Sequence, residues 1–331
     1  METDSDRMVR RSYYNPSTHG GTQPVRVLQY NIIDSFEKAS PGFRDELRSV
    51  VTQKGLPRGI KYHVNEQPIL RSGGRAQTPC VSTDRGIELH ETFLSYVWTI
   101  CYSLLVLFDE LIQKRMIQKA YNRTFEYSPK TVREAFCLFH YGISLIKQFR
   151  VWDKGTLPNP EEYDENEADY VEKANGVFVH AMVFILCHEF AHVRCGHTEA
   201  ANRNGDVSPD LEKIHEYRAD ELATTIVLAG AEDESRRSTA GFGLIAGLSA
   251  DLFLGSVVKS ETHPDKDDRI RNALEKLNLG EKDNLWGIAC LAFKLWDESY
   301  RTRLKWPTEV ETYKDLFYCV VSQLAGQTRA I

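Results

Sequence analysis

Between Cys187 and His197 the chain reads CHEFAHVRCGH. Histidines 188 and 192 stand four apart, with Glu189 directly after the first. On a helix that spacing puts both imidazoles on one face, one turn apart, where they can reach a single tetrahedral ion. Glu189 is rotated off that face and is suited instead to take a proton from a metal-activated water, the division of labour expected of an H-E-x-x-H sequence. A Zn2+ ion there would lower the pKa of such a water toward ~7, making hydroxide available at neutral pH. The rest of the segment is apolar. Two unpaired imidazoles buried in it would be costly, which favours ligation over a pair of hydrogen-bonded core histidines.

Two imidazoles need a third ligand, and three options present themselves. The pattern with a glycine three residues after the second histidine and a third histidine six after it fails, because Cys195 and Thr198 occupy those positions. His197 is out of place by one. Cys195, seven residues after His188 on the same helical face, could close a purely structural His2Cys site. The third option is the segment HEYRADELATTIVLAG, in which Glu216 and Asp220 share a face with Ala219 and Ala223. The two alanines are small enough to let this helix approach the histidine helix closely. Glu216 would then be the third ligand, and Asp220 the outer acceptor of a histidine N–H. Ile214, Leu222, Ile226 and Val227 suggest that this helix is largely buried, against the reading of a solvated acidic face.

These residues need rigid elements to carry them. VFVHAMVFILCHEFAHVRC is apolar almost all round and predicts a core helix, with Gly196 placed to end it. Ser208-Pro209-Asp210 supplies a cap, a proline and a first-turn acid for a helix running to about Gly230. NRNGD at 202–206 reads as a loop. Upstream, a long helix is expected over about 89–121. Its run Phe93 to Phe108 is 16 uncharged residues, below the ~18 of a membrane span, so it reads as a core helix. Ser128-Pro129 opens another helix to about 149, where His140 and, further on, His180 read as core histidines. The acidic, turn-rich segment 153–176 reads as a solvated loop leading into a helix, and its part 160–172 is a candidate gate over the cleft. A helix over about 239–259 leads to THPDKDDRI, and the remainder reads as helical. Residues 25–90, with VRVLQYNII and GIKYHV, read as short strands and loops. GIKYHV is the candidate edge on which an extended substrate would lie. The fold class is mainly α (α+β), with a small N-terminal sheet. The expected organisation is a mobile polar tail over 1–24, a mixed segment with the long helix over 25–125, a catalytic core over 126–280 and C-terminal helices over 281–331, together one integrated domain.

Composition narrows the partners. With 41 basic and 47 acidic residues the net charge is −6, which argues against nucleic acid as the main partner. Seven cysteines without a CxxC pair fit a reducing compartment. The N-terminus has no apolar signal-peptide core, so a cytoplasmic protein with no membrane partner is expected.

HEFAHVRCGH, then EYRAD at 216–220, then THPDKDDRI at 262–270 resembles the glutamate-zincin peptidases of the HtpX and CAAX-prenyl-protease type. Their pattern is an H-E-x-x-H helix, an E-x-x-A-D helix and a late His-Pro loop followed by Arg-Ile. The resemblance implies a zincin-like helical core, with zinc on His188, His192 and Glu216 and with Glu189 as general base. It further implies that Asp220 steadies a histidine ligand and that His263 lies near the developing oxyanion. Those relatives are mostly integral membrane enzymes. In build this chain is more similar to the soluble Lit phage-exclusion peptidases, which implies a protein substrate, a translation factor in that family, and a role in antiviral defence. A protein partner that inhibits or activates the enzyme would fit such a role. Two other readings stay open at the level of sequence. One is a non-catalytic, zinc-stabilised interaction protein, and the other is a metal-assisted hydrolase of a non-peptide amide.

Overall fold

A computed structural model describes residues 22–53, 55–64, 66–70, 76–82, 85–114, 129–197 and 208–325. The mainly helical fold with a small sheet is as expected. The helices are α1 (Gln29–Glu37), α2 (Phe43–Thr52), α3 (Glu91–Phe108), α4 (Pro129–Leu145), α5 (Glu165–Arg194), α6 (Pro209–Ala229), α7 (Glu234–Leu252), α8 (Lys266–Lys276), α9 (Asn284–Tyr300) and α10 (Tyr313–Val321). Three short strands, β1 (Ile60–His63), β2 (Cys80–Val81) and β3 (Ile87–His90), form a sheet of order β1-β3-β2. β3 is central, parallel to β1 (Ile60 opposite Ile87) and antiparallel to β2 (Val81 opposite Ile87).

The longest helix among the described residues is α5. Its 30 residues extend about 45 Å. Asp164 caps its start by accepting from the backbone N–H groups of Asn166 and Glu167, while the Glu167 side chain reaches back to the Asp164 N–H. The helix therefore begins inside the segment that reads as a loop. Residues 165–172 are its first turns, about 24–35 Å along the axis from His188, too far to gate the histidine end. α7 crosses α5 so closely that a side chain at Gly243 would lie 2.5 Å from His180 Cβ and 2.7 Å from the backbone nitrogen of Ala181. α6 packs along the other flank through the fully buried Ala219 and Ala223, as their size predicts.

α3 leaves β3 without a break. It reaches α7 through the Tyr96 hydroxyl, which donates to the carbonyl of Ala250 at 2.6 Å, and α5 through Trp98 Nε1, which donates to Asn175 at 2.8 Å. With a π-helical turn over Asp109–Gln113 it makes 23 apolar-rich residues, long enough to cross a bilayer. Here 94% of its most apolar window is covered by protein, so it serves as a core helix. The expected extension to residue 121 and the Ser128 cap lie outside the described residues, as does the 202–206 loop.

Several expectations are corrected. VRVLQYNII is helical, a short 3-10 turn followed by α1. Val25, Leu28, Ile32 and Phe36 are all buried, and that helical spacing of core contacts outweighs the β-branched residues between them. α4 ends at Leu145 and α7 spans 234–252, both short of or shifted from the expected ranges. His140 is exposed and His180 half-buried, so His140 is no core histidine. Ile214 is 46% exposed at the near end of α6, where only the later turns are buried.

Candidate metal centre

The last turns of α5 and the second turn of α6 converge on one point. His188 Nε2 and His192 Nε2 lie 3.1 Å apart. Glu216 closes the triangle, with Oε2 at 3.2 Å from His188 Nε2 and Oε1 at 3.4 Å from His192 Nε2. Two tetrahedral ligands at ordinary zinc bond lengths of ~2.0–2.1 Å lie about 3.4 Å apart, so the spacing fits one small cation. The donor set fits it too. His188 Nδ1 is 2.8 Å from Asp220 Oδ1, which fixes the proton on Nδ1 and turns the Nε2 lone pair toward the shared point. Two imidazole nitrogens facing each other across 3.1 Å need a proton or a cation between them. Cys195 is exposed and outside this group of potential ligands, which removes the His2Cys option.

Electrostatics shows the same demand for positive charge. Burial opposes a charge on His188, yet the Asp220 and Glu216 carboxylates outweigh it and lift the imidazole to about 10. Burial would raise Glu216, but His188, His192 and His263 hold it down at about 2. His192 is lowered to about 4 by burial and by the charge on His188. Two carboxylates therefore surround room for a single positive charge, which an ion shared by all three ligands would supply.

Glu189 is outside the triangle, as its helical position predicts, and lines the same cavity of about 380 Å³. Burial pushes Glu189 up to about 7; His188 and a backbone hydrogen bond from Val81 pull it down, and Glu216 adds to the rise. A carboxyl poised near neutrality is suited to take up and release a proton. His263 stands at the rim, 55% exposed, with Nε2 3.7 Å from Glu216 Oε1. Its Nδ1 lies 2.9 Å from the Thr262 hydroxyl. Phe93, Phe184, Leu248 and Leu254 line the apolar side of the cavity, and Cys80 and Val81 of β2 form its edge. The strand beside the site is thus β2; β1, the GIKYHV segment, is at the opposite end of the sheet and does not line the cavity.

Arg269 is a residue whose role the sequence does not disclose. From α8 its Nε and Nη2 donate to the two Asp220 oxygens at 2.7 and 2.8 Å, and its Nη1 donates to Asp251 on α7 at 3.1 Å. Burial notwithstanding, Arg269 and His188 hold Asp220 well below the usual carboxylate range. The chain Arg269–Asp220–His188 thereby ties three helices to one ligand. Its only sequence signal is the Arg-Ile that follows the His-Pro loop.

A family model described as peptidase U49 matches residues 87–289, more than half of the chain and the whole span from His188 to Arg269. The chain belongs to the peptidase U49 family. The match bears out a peptidase, a hydrolase acting on protein or peptide, and with it the Lit-like part of the resemblance. Curated proteins and solved structures gave no match. In this U49 peptidase the family span starts at β3, so that β1 and β2 precede it.

Proposed function

We propose that this U49 peptidase is a zinc-dependent endopeptidase that cleaves an extended segment of a protein substrate. The observation that carries this is the triangle of His188, His192 and Glu216 with Glu189 beside it in one cavity. A zinc ion held by the three residues would supply Lewis-acid polarisation of the scissile carbonyl and of the attacking water.

The protein's own groups do the rest. Glu189 takes the proton of the attacking water and delivers it to the leaving amine nitrogen, both within the reach of one carboxylate. His263, at the rim near Glu216, donates to the oxygen on which charge develops. Asp220 holds the His188 ring in the ligating tautomer, and Arg269 holds Asp220. β2, an end strand of the sheet, borders the cavity where an extended substrate would lie, and Phe93, Phe184, Leu248 and Leu254 offer an apolar subsite. Membership of a Lit-like family supports the further reading that the target is a cytoplasmic protein and that the enzyme takes part in antiviral defence.

The test is twofold. Metal analysis of the purified protein should find about one zinc per chain in the wild type and in Glu189→Gln, and little in Glu216→Ala. On a peptide library, only the wild type should generate new N-termini. Cleavage by Glu189→Gln at the wild-type rate would overturn the catalytic assignment and leave the ion as a clip between helices.

A further inference from the structure

His188 has a carboxylate behind it, and the corresponding position behind His192 is taken by another imidazole. His197 Nδ1 lies 3.2 Å from His192 Nδ1, with the rings nearly perpendicular at 73°. The backbone achieves this with Gly196, whose φ of +71° is the left-handed value that lets the chain fold back at the end of α5. His197 is 6% exposed. Its ring stacks face to face on His215 of α6, with centroids 4.0 Å apart and planes inclined by 9°. The stack holds the plane of His197, and with it the direction of its Nδ1 lone pair. His197 Nε2 is buried and has no hydrogen-bond partner among the described residues.

A hydrogen bond between two ring nitrogens contains one proton, and its owner follows from the geometry. His192 Nε2 points at His188 Nε2 and Glu216 and must present a lone pair to ligate. The His192 proton is then on Nδ1, so His197 Nδ1 must accept and His197 carries its own proton on Nε2. We infer that His197, held by the Gly196 turn and the His215 stack, is the positioning residue that fixes the tautomer and ring orientation of the ligand His192. The inference rests on the proposed metal centre. It gives the two ligands unlike partners: an Arg-backed carboxylate for His188 and a neutral imidazole for His192.

The experiment is zinc affinity by chelator competition on the full-length protein, for wild type, Glu216→Ala, His197→Phe, His197→Asn and His215→Phe. His197→Phe keeps an aromatic ring for the stack and loses the acceptor. His197→Asn returns an acceptor oxygen to the place of Nδ1 and loses the stack. An outer partner of a ligating histidine accounts for about 10–100-fold in metal affinity, so His197→Phe should weaken zinc by that factor. His197→Asn should recover most of the loss, and His215→Phe should stay near wild type. Circular dichroism and thermal melting of the zinc-free forms would identify any variant that fails to fold. In that event His197→Gln, which also presents an acceptor, replaces His197→Asn, and His197→Leu replaces His197→Phe. Equal affinity of wild type and the acceptor-less variant would overturn the inference, as would equal losses for the acceptor-less and acceptor-bearing variants. If wild type binds no zinc, or Glu216→Ala binds as wild type does, the metal centre itself is wrong; that outcome is distinct from a centre that needs Glu216 and ignores His197.

Discussion

At the scale of single residues, the site is built from charges that need one another. Arg269 is the clearest case, since its guanidinium is shared by Asp220 and Asp251. Arg269→Met would leave two carboxylates facing each other without their common cation. Breaking a buried pair in this way costs about 3–5 kcal/mol, and the lower end applies here because the Asp251 side chain is 34% exposed. A denaturant melt should show that loss, and metal binding should weaken with it; an unchanged melt would mean that Asp220 is held by His188 alone. A second buried carboxylate, Asp297 on α9, gives a pH test away from the centre. It accepts from the Thr302 hydroxyl at 2.7 Å, the Leu304 N–H at 3.1 Å and Trp306 Nε1 at 2.8 Å. Burial would raise it, but these donors lower it below the usual carboxylate value. A depressed pKa means that the unfolded chain binds the proton more readily. The stabilisation is therefore complete above the unfolded value of about 3.9 and is lost as pH falls through the folded one. Asp297→Asn should cost about 1–3 kcal/mol at pH 7, and its melting curve should converge with that of wild type in acid.

At the scale of elements, the helices that carry the site are placed by close approach. Gly243 sits where α7 crosses α5, and the atoms that a new Cβ would meet there include backbone, which cannot swing aside. Gly243→Ala should therefore destabilise by about 1–3 kcal/mol, even though alanine favours a helix by roughly 1 kcal/mol over glycine. A protein that melts no lower than wild type would show that the crossing is slack. Much of this level was legible beforehand. The Ser208-Pro209 cap, the small Ala219 and Ala223, and the four-residue spacings of His188 with His192 and of Glu216 with Asp220 are local signals, and the structure brings those residues together as they predict. What stayed hidden depends on partners distant in sequence. The strand beside the cavity is the two-residue β2, too short to have a periodic signature. His197 failed a spacing rule for ligands, because its place is behind His192, a proposed ligand. VRVLQYNII had the composition of a strand, and only the shape of the core into which Ile32 and Phe36 fit made it a helix.

At the scale of the whole molecule, one continuous hydrophobic cluster draws on every helix from α1 to α10. α5 and α6 are joined along several turns outside the proposed metal ligands, so the chain should stay folded when stripped of metal. A ligand that binds only the native state stabilises it by about 2.7 kcal/mol at 100 times its Kd. Zinc at that level should raise the melting temperature and a chelator should reverse the rise, with the far-ultraviolet spectrum of the stripped protein still helical. Loss of the spectrum on chelation would mean that the metal organises the fold as well as the site. The length of α5 has one more consequence. Both imidazoles ride on a single rod anchored about 36–42 Å away by its N-terminal cap and clasped by α3, α6 and α7 along its course. Neither can swing out without dislodging the interior, so in the proposed peptidase admission of a polypeptide would fall to the margin of the cleft, the His263 loop and β2, and would leave the grip on the proposed cation untouched.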